Sequence, residues 1–341
     1  MTKKMMYGVE GVAKAIPKAY WGVDGVARKI KKAYYGVGGV AKEIFGSARD
    51  YLYGGISTFV HTPGSLDDDY GDEGYTLDED SFSLKVTTYD SEPLNVYMDG
   101  ALIQTYAEAG EHTLTMNDEC VHLLQAGSIT ISIQCASEYG LGSQKFGRTW
   151  SKTDNKSTSR VTPFGYITSA TISDNVVGLL TDAMRCLRGP ISIPQRGLRS
   201  IGFTAFHKVS TLTEFDIPQT VTEIGTSAFS YSGLTRVSIP DGIEELPYYS
   251  FGDTPLLSVD IPRSVKVIGT SAFGGCKSLS DITFRHTADD AIDIFTDEDS
   301  PSLNSFGNGG NMDTIVRHNG CPSVLNYDWA ACNRNVTFVQ M

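Results

Sequence analysis

The residues best placed to do chemistry fall in two evenly spaced series. Glu214, Arg236, Ser258 and Asp281 form one, and Asp216, Ser238, Asp260 and Thr283 the other, each with steps of 22, 22 and 23 residues. Carboxylates, a guanidinium and hydroxyls set side by side can hydrogen-bond a polar ligand such as a glycan or a protein loop, and the ionised members do so most strongly. A pair of carboxylates could also act as acid and base in glycoside hydrolysis. Other signs of catalysis are lacking: there is no nucleophile elbow, no His-Glu-x-x-His and no Gly-rich dinucleotide loop, and the six histidines are scattered. Gly142-Ser-Gln-Lys-Phe-Gly-Arg-Thr149 has the spacing of a phosphate loop, but Arg148 stands where that loop needs lysine. The expectation is therefore binding rather than catalysis, with no cofactor and no metal. The plainer alternative is that the two series are the solvent-facing positions of alternating strands. Tyr248 and Tyr249 stand where sister segments carry small Thr-Ser pairs, and are candidate contact anchors or local packing.

What must position these residues is a repeat. Ile-Pro pairs occur at Ile193-Pro194, Ile217-Pro218, Ile239-Pro240 and Ile261-Pro262, in steps of 24, 22 and 22 residues. An apolar series follows each pair, for example Val221, Ile224, Phe229, Leu234 and Val237, then Ile243, Leu246, Phe251, Leu256 and Val259. A fixed period of this length is the mark of a solenoid. Leu234-Thr-Arg-Val-Ser-Ile239 alternates as a half-buried strand should, and Pro240 ends it by removing a backbone donor. A single rung cannot bury its apolar face, so neighbours must stack and the ends need caps.

The segments Ile201-Gly-Phe-Thr-Ala-Phe206, Ile224-Gly-Thr-Ser-Ala-Phe229 and Ile268-Gly-Thr-Ser-Ala-Phe273, with the Leu-x-x-Val-x-Ile-Pro pattern, resemble the BspA-like class of leucine-rich repeat over roughly residues 172–284. The third copy departs from it as Leu246-Pro-Tyr-Tyr-Ser-Phe251. The resemblance implies a right-handed solenoid with short parallel strands on a concave face and a role in adhesion or surface recognition. It implies no reaction.

A second repeat, of 14 residues, opens the chain: Tyr7-Gly-Val-Glu-Gly-Val-Ala-Lys-Ala-Ile16 returns from Trp21 to Ile30 and from Tyr35 to Ile44. Read as helix, it would be cut repeatedly by glycine at about 1 kcal/mol each. Read as hairpins, Glu10-Gly11, Asp24-Gly25 and Gly38-Gly39 are favourable two-residue turns, and strands are the preferred expectation. Arg28, Lys29, Lys31 and Lys32, with Tyr7, Trp21, Tyr34 and Tyr35, make it basic and aromatic. Single-stranded nucleic acid is disfavoured as a partner, because aromatics beside hairpin turns more often pack across strands. The tandem motif is similar to one in virion and tail-associated proteins of phages of Gram-positive bacteria, which implies an attachment or assembly module.

The rest reads as modules: residues 1–45 an attachment segment, 46–80 an acidic linker, 81–150 a small all-β domain like a sandwich, 151–160 a linker, and 161–341 the solenoid with caps. Eight acids and no base between Asp67 and Asp80 could hold Ca²⁺, but the alternating spacing of a calcium loop is missing and a solvated linker is expected. Ile172, Val176, Leu180 and Ile191 are expected to fill the apolar places of a degenerate capping copy. Six cysteines without metal-ligand spacing suggest mostly buried thiols. A net charge of -12 and no apolar run of about 20 residues argue against membrane insertion. The first eight residues lack the apolar core of a secretory signal. The expected protein is mainly β and modular: a non-catalytic virion component that meets other virion proteins and a host-surface protein or glycan. Its basic and acidic segments would let copies associate as a homo-oligomer. The alternative is a bacterial cell-surface adhesin of the BspA-like class.

Overall fold

Short apolar runs in the N-terminal repeats pair antiparallel as two-stranded hairpins. The computed structural model describes residues 20–23, 26–29, 33–37, 40–45, 55–63, 75–115, 118–152, 160–163, 165–297, 299–310 and 312–341. Met1–Leu52 and Tyr53–Met341 form separate units. In the first, β1 (Tyr20–Val23) pairs antiparallel with β2 (Val26–Lys29), and β3 (Ala33–Val37) with β4 (Val40–Phe45). Val23 faces Val26 and Val37 faces Val40, the register that a two-residue turn requires. The strand alternative thus prevails over helix in the second and third copies; the first copy lies outside the described residues.

The second unit begins with an antiparallel sandwich. Its strands are β5 (Ile56–Pro63), β6 (Tyr75–Thr88), β7 (Leu94–Met98), β8 (Ala101–Tyr106) and β9 (Gly110–Thr115), then, after helix α1 (Asp118–Ala126), β10 (Ile129–Cys135), β11 (Tyr139–Lys152), β12 (Arg160–Pro163) and β13 (Gly165–Thr171). One sheet contains β13-β5-β10-β7-β8 and the other β11-β6-β9, with β12 beside β11. The stretch expected to be a solvated linker contains β5, which lies between β13 and β10, and the first residues of β6. The sequence hides β5 because its inward positions are Ser57, Phe59 and His61, of which only one is apolar. The phosphate-loop look-alike, Gly142–Thr149, lies inside β11.

His61 is buried, and Gly165 leaves it room: a Cβ there would fall 1.9 Å from its Nε2. Burial pushes the imidazole from its ordinary 6.5 down to about 4, because a charged ring would lose its hydration. Between those values the unfolded chain binds a proton that the folded protein does not, so stability is complete above the unfolded pKa and declines as pH falls through it toward the folded one. His61→Gln is expected to flatten this decline in thermal melts at about pH 7 and about pH 5; an unchanged pH dependence would clear His61 of the effect.

Both sandwich sheets continue directly into the solenoid. β14 (Val176–Leu179) pairs parallel with β11, β15 (Ile191–Ser192) with β13, β16 (Ser200–Ile201) with β14, and β18 (Glu223–Ile224) with β16. The degenerate first copy is therefore a splice and not an end cap. Leu179, not Leu180, takes the inward place beside Ile172 and Val176, while Ile191 is only half-buried. A buried polar network pins the splice. The Ser57 hydroxyl lies 2.6 Å from the Tyr139 hydroxyl, which lies 2.9 Å from that of Ser173, and Ser173 donates to Asn175 Oδ1 at 2.5 Å. Asn175 Nδ2 donates to the carbonyls of Cys135 and Ser137 at 2.6 and 2.7 Å. Burial pushes the Tyr139 phenol up to about 12, so it remains a neutral hydrogen-bonding group.

Beyond the splice the rungs run parallel. One ladder comprises β17 (Glu214–Asp216), β19 (Arg236–Ser238), β21 (Ser258–Ile261), β23 (Asp281–Thr287), β25 (Met312–Asn319) and β26 (Arg334–Gln340); the other comprises β20 (Glu245–Leu246), β22 (Val267–Ile268) and β24 (Asp293–Ile294). At the corner Thr204, Ser227, Tyr249 and Ser271 occupy equivalent places with φ of 51, 55, 54 and 49°. The next turn then drops a phenylalanine inward. Phe206, Phe229, Phe251, Phe273 and Phe306 form one stack, with centroids 5.1–5.4 Å apart and planes within 7° of parallel. Phe306, in the Gly- and Asn-rich stretch before β25, thus supplies the fifth ring, and the rungs β25 and β26 follow.

Candidate ligand-binding groove

The parallel register turns sequence spacing into columns. Glu214, Arg236, Ser258 and Asp281 are successive partners, as are Asp216 and Ser238, and Asp260 and Thr283. Alternation sends Phe215, Val237, Val259 and Ile282 into the core and these eight polar residues outward. The structure therefore brings the two predicted series together on one face. Arg236, Ser238, Ser258, Asp260 and Asp281 line a groove of about 740 Å³ with Arg285 and Arg317.

The groove is organised by ion pairs between rungs. Arg285 donates from Nε to both carboxylate oxygens of Asp260, at 2.8 and 3.0 Å, and from Nη2 to Oδ2. Arg317 grips Asp281 in a two-pronged pair, Nε to Oδ1 at 3.1 Å and Nη2 to Oδ2 at 2.9 Å. Both guanidinium pKa values are raised by the partner's hydrogen bonds and charge. At the groove's edge Arg263 meets Asp290 at 2.7 Å, and hydrogen bonds from Arg263 and the Thr287 backbone hold that carboxyl down to about 2. Arg236 differs from these arginines, because its guanidinium has no hydrogen-bond or ion-pair partner among the described residues. It lies between exposed Glu214 and Ser258 without bonding either.

Arg285 and Arg317 were not among the sequence candidates. The signal for Arg285 was present, since Asp281, Thr283 and Arg285 continue one outward alternation along β23. Arg317 was hidden because the chain between β23 and β25 breaks the repeat before Arg317 returns opposite Thr283.

The aromatic candidates separate. Tyr248 is 50% exposed. Tyr249 is half-buried: its ring lies over Gly252, and its hydroxyl bonds the Asp253 carboxylate and lies 3.3 Å from the Tyr231 hydroxyl. Burial, then the bond to Asp253, raises its pKa. The exposed Tyr231, absent from the sequence candidates, joins Tyr249 at 5.9 Å and His207 at 5.7 Å. Of the N-terminal candidates, Trp21, Arg28, Lys29, Tyr34 and Tyr35 lie on the hairpin strands, whereas Tyr7, Lys31 and Lys32 fall outside the described residues.

Among the described residues no group of three or more His, Cys, Asp or Glu is placed to hold a metal ion, and no helix is long and apolar enough to cross a membrane. Cys276, Cys321 and Cys332 are buried thiols.

Residues 185–296 match the family described as BspA type leucine rich repeat region, in 6 copies. No curated protein matches the sequence. Solved structures with similarity include a leucine rich cell surface protein of Faecalibacterium prausnitzii, at 20% identity over 54% of this chain and 40% of that one, with a TM-score of 0.33. A leucine-rich repeat protein of Eubacterium ventriosum matches at 17% identity over 51% and 42%, TM-score 0.30. One of Bacteroides ovatus matches at 18% over 61% and 72%, TM-score 0.23. The matched region spans about two fifths of the length of the first two.

Proposed function

Residues 185–296 form a BspA-type leucine-rich repeat region, and from that premise we propose that this chain is a non-catalytic recognition protein acting at a bacterial surface. Its solenoid holds a polar ligand, a glycan or a protein loop, in the groove. The observation that carries this reading is the contrast within the groove. Asp260 and Asp281 are committed to Arg285 and Arg317, while Arg236 and the hydroxyls of Ser238 and Ser258 face solvent with no partner among the described residues. Carboxylates held by guanidinium groups suit a preorganised rim better than proton transfer, which supports binding over catalysis. The setting proposed first is the bacterial cell surface, because the matched family is that of BspA-type repeats. A second reading, favoured by the 14-residue N-terminal repeat, places the chain on a phage particle, with other virion proteins as neighbours and copies joined as a homo-oligomer.

The test is to change Arg236, Asp260 and Asp281 together to alanine and measure binding to bacterial cells and to purified surface glycan. At least a tenfold loss, about 1.4 kcal/mol, is expected in a variant that retains its circular dichroism. Unchanged binding by the folded variant retires the groove. Immunogold labelling of cells and of purified particles separates the two settings, and release of shortened glycan would overturn the non-catalytic assignment.

A further inference from the structure

The concave ladder contains a break. β15 and β17 are successive rungs, yet no pairing joins them: β15 ends the sandwich sheet and β17 begins the solenoid sheet. The turn between them belongs to the 24-residue step from Ile193 to Ile217, two residues longer than the next two steps. On the opposite side the same rungs are closed, with Ser200 paired to Glu223 and the Thr222 N–H donating to the Arg199 carbonyl at 2.8 Å. The other unpaired step, β18 to β20, has close backbones: a Cβ on Gly242 would sit 3.1 Å from the Val221 carbonyl oxygen. Between β15 and β17 there is instead a slot of about 480 Å³, running from Gly189–Ile193 on one bank to Thr211–Asp216 on the other.

The hydrogen bonds on the outer sides of these strands fix what faces the slot. The carbonyls of Pro190 and Ser192 accept from Ala170 and Ile172, so β15 uses its even residues toward β13. The Ile217 N–H donates to Ser238, and the Thr213 carbonyl accepts from Thr235, so β17 uses its odd residues toward β19. By alternation, the N–H and C=O groups of Ile191 and Ile193 on one bank, and of Glu214 and Asp216 on the other, point at each other across the slot with no backbone partner among the described residues. Two facing strand edges of this kind form a template for an added strand. The lining is graded: half-buried Ile191 and Ile193 with Leu212 and Phe215 make it apolar, Glu214 and Asp216 put two carboxylates at its mouth, and no basic side chain lines it.

We propose that this slot is a second binding site, independent of the groove, that takes an extended peptide alternating apolar and basic residues. Its backbone completes the ladder between β15 and β17, its apolar side chains cover Ile191, Ile193, Leu212 and Phe215, and its basic side chains meet Glu214 and Asp216.

The probe is a blocked peptide alternating valine and lysine, about nine residues long at about 3.3 Å per residue, titrated into the full chain and followed by amide hydrogen exchange. The amides of Ile191, Ile193, Glu214 and Asp216 should gain protection, whereas those of Ser192 and Phe215, already turned to their outer neighbours, should change little. A valine–glutamate peptide should bind at least tenfold more weakly, and the Glu214→Lys, Asp216→Lys double variant should reverse that order. The Arg236, Asp260, Asp281 triple-alanine variant should bind the peptide as the parent does, so failure of the groove leaves this test intact. Equal binding of the two peptides, equal binding of a copy N-methylated at alternate amides, or no protection at the four amides overturns the proposal.

Discussion

Phe251→Ala lowers the unfolding free energy by about 3–5 kcal/mol, the range for truncating a buried aromatic. Phe251 is the middle ring of five, fully buried, with Phe229 at 5.3 Å and Phe273 at 5.4 Å on its two faces, tilted by only 2 and 7°. Its removal opens a cavity that neither neighbour can fill, because each ring is held by its own rung: the Phe251 N–H donates to Ala272, and the Phe229 N–H to Ser250. Offset stacking contributes beyond the area buried. Denaturant unfolding of Phe251→Ala beside the exposed-site control Phe203→Ala measures the difference; a loss below about 1 kcal/mol would mean that the stack is not the spine of the core. Nearest-neighbour stacking adds a finer expectation. Phe229→Ala and Phe251→Ala should couple in a double-mutant cycle, while Phe206→Ala and Phe273→Ala, three rungs apart, should be close to additive.

Arg334→Met should cost about 3 kcal/mol or more, with the damage concentrated at the C-terminal end. Arg334 is 3% exposed and bonded to no carboxylate. Its Nη1 donates to the Leu279 carbonyl at 2.5 Å and to Thr314 Oγ1 at 3.2 Å, its Nη2 to the Cys276 carbonyl at 2.9 Å, and its Nε reaches the Phe306 carbonyl at 3.4 Å. One side chain thus ties β26 to carbonyls far back along the chain. Burial lowers its pKa, and the carbonyl dipoles offset the lost hydration. Methionine matches much of the volume but leaves those acceptors unbonded in a dry site, at about 1–3 kcal/mol each. The selective readout is chemical: Cys276 and Cys332, both buried and both with raised thiol pKa, should become much faster to label in Arg334→Met. Parent-like labelling together with a parent-like melting temperature would contradict the assignment.

The solenoid was readable because each rung repeats the same inward apolar residues at one spacing, and the polar columns followed from strand alternation within that register. Four parts were not readable, each for a physical reason. β5 places serine and histidine at two of its inward positions, and Ser57 is met by Tyr139 and Ser173 far along the chain, so the local pattern looks like linker. Leu179 and Leu180 are adjacent and equally apolar, and only pairing with β11 decides which one turns inward. Arg317, the partner of Asp281, returns only after the chain between β23 and β25 has broken the repeat. The slot has no signature beyond a turn two residues longer than the following ones, because what defines it is two strand edges failing to meet.

The passage of both sandwich sheets into the first rungs of the solenoid has a mechanical consequence. Among the described residues β11–β14 and β13–β15 are backbone ladders clamped by Asn175, and each unpaired step beyond them, β15–β17 and β18–β20, lies opposite a paired one, β16–β18 and β17–β19. A ligand tugging at Arg236 therefore loads rows of hydrogen bonds and packed rings, and the groove keeps a fixed bearing relative to the sandwich under tension.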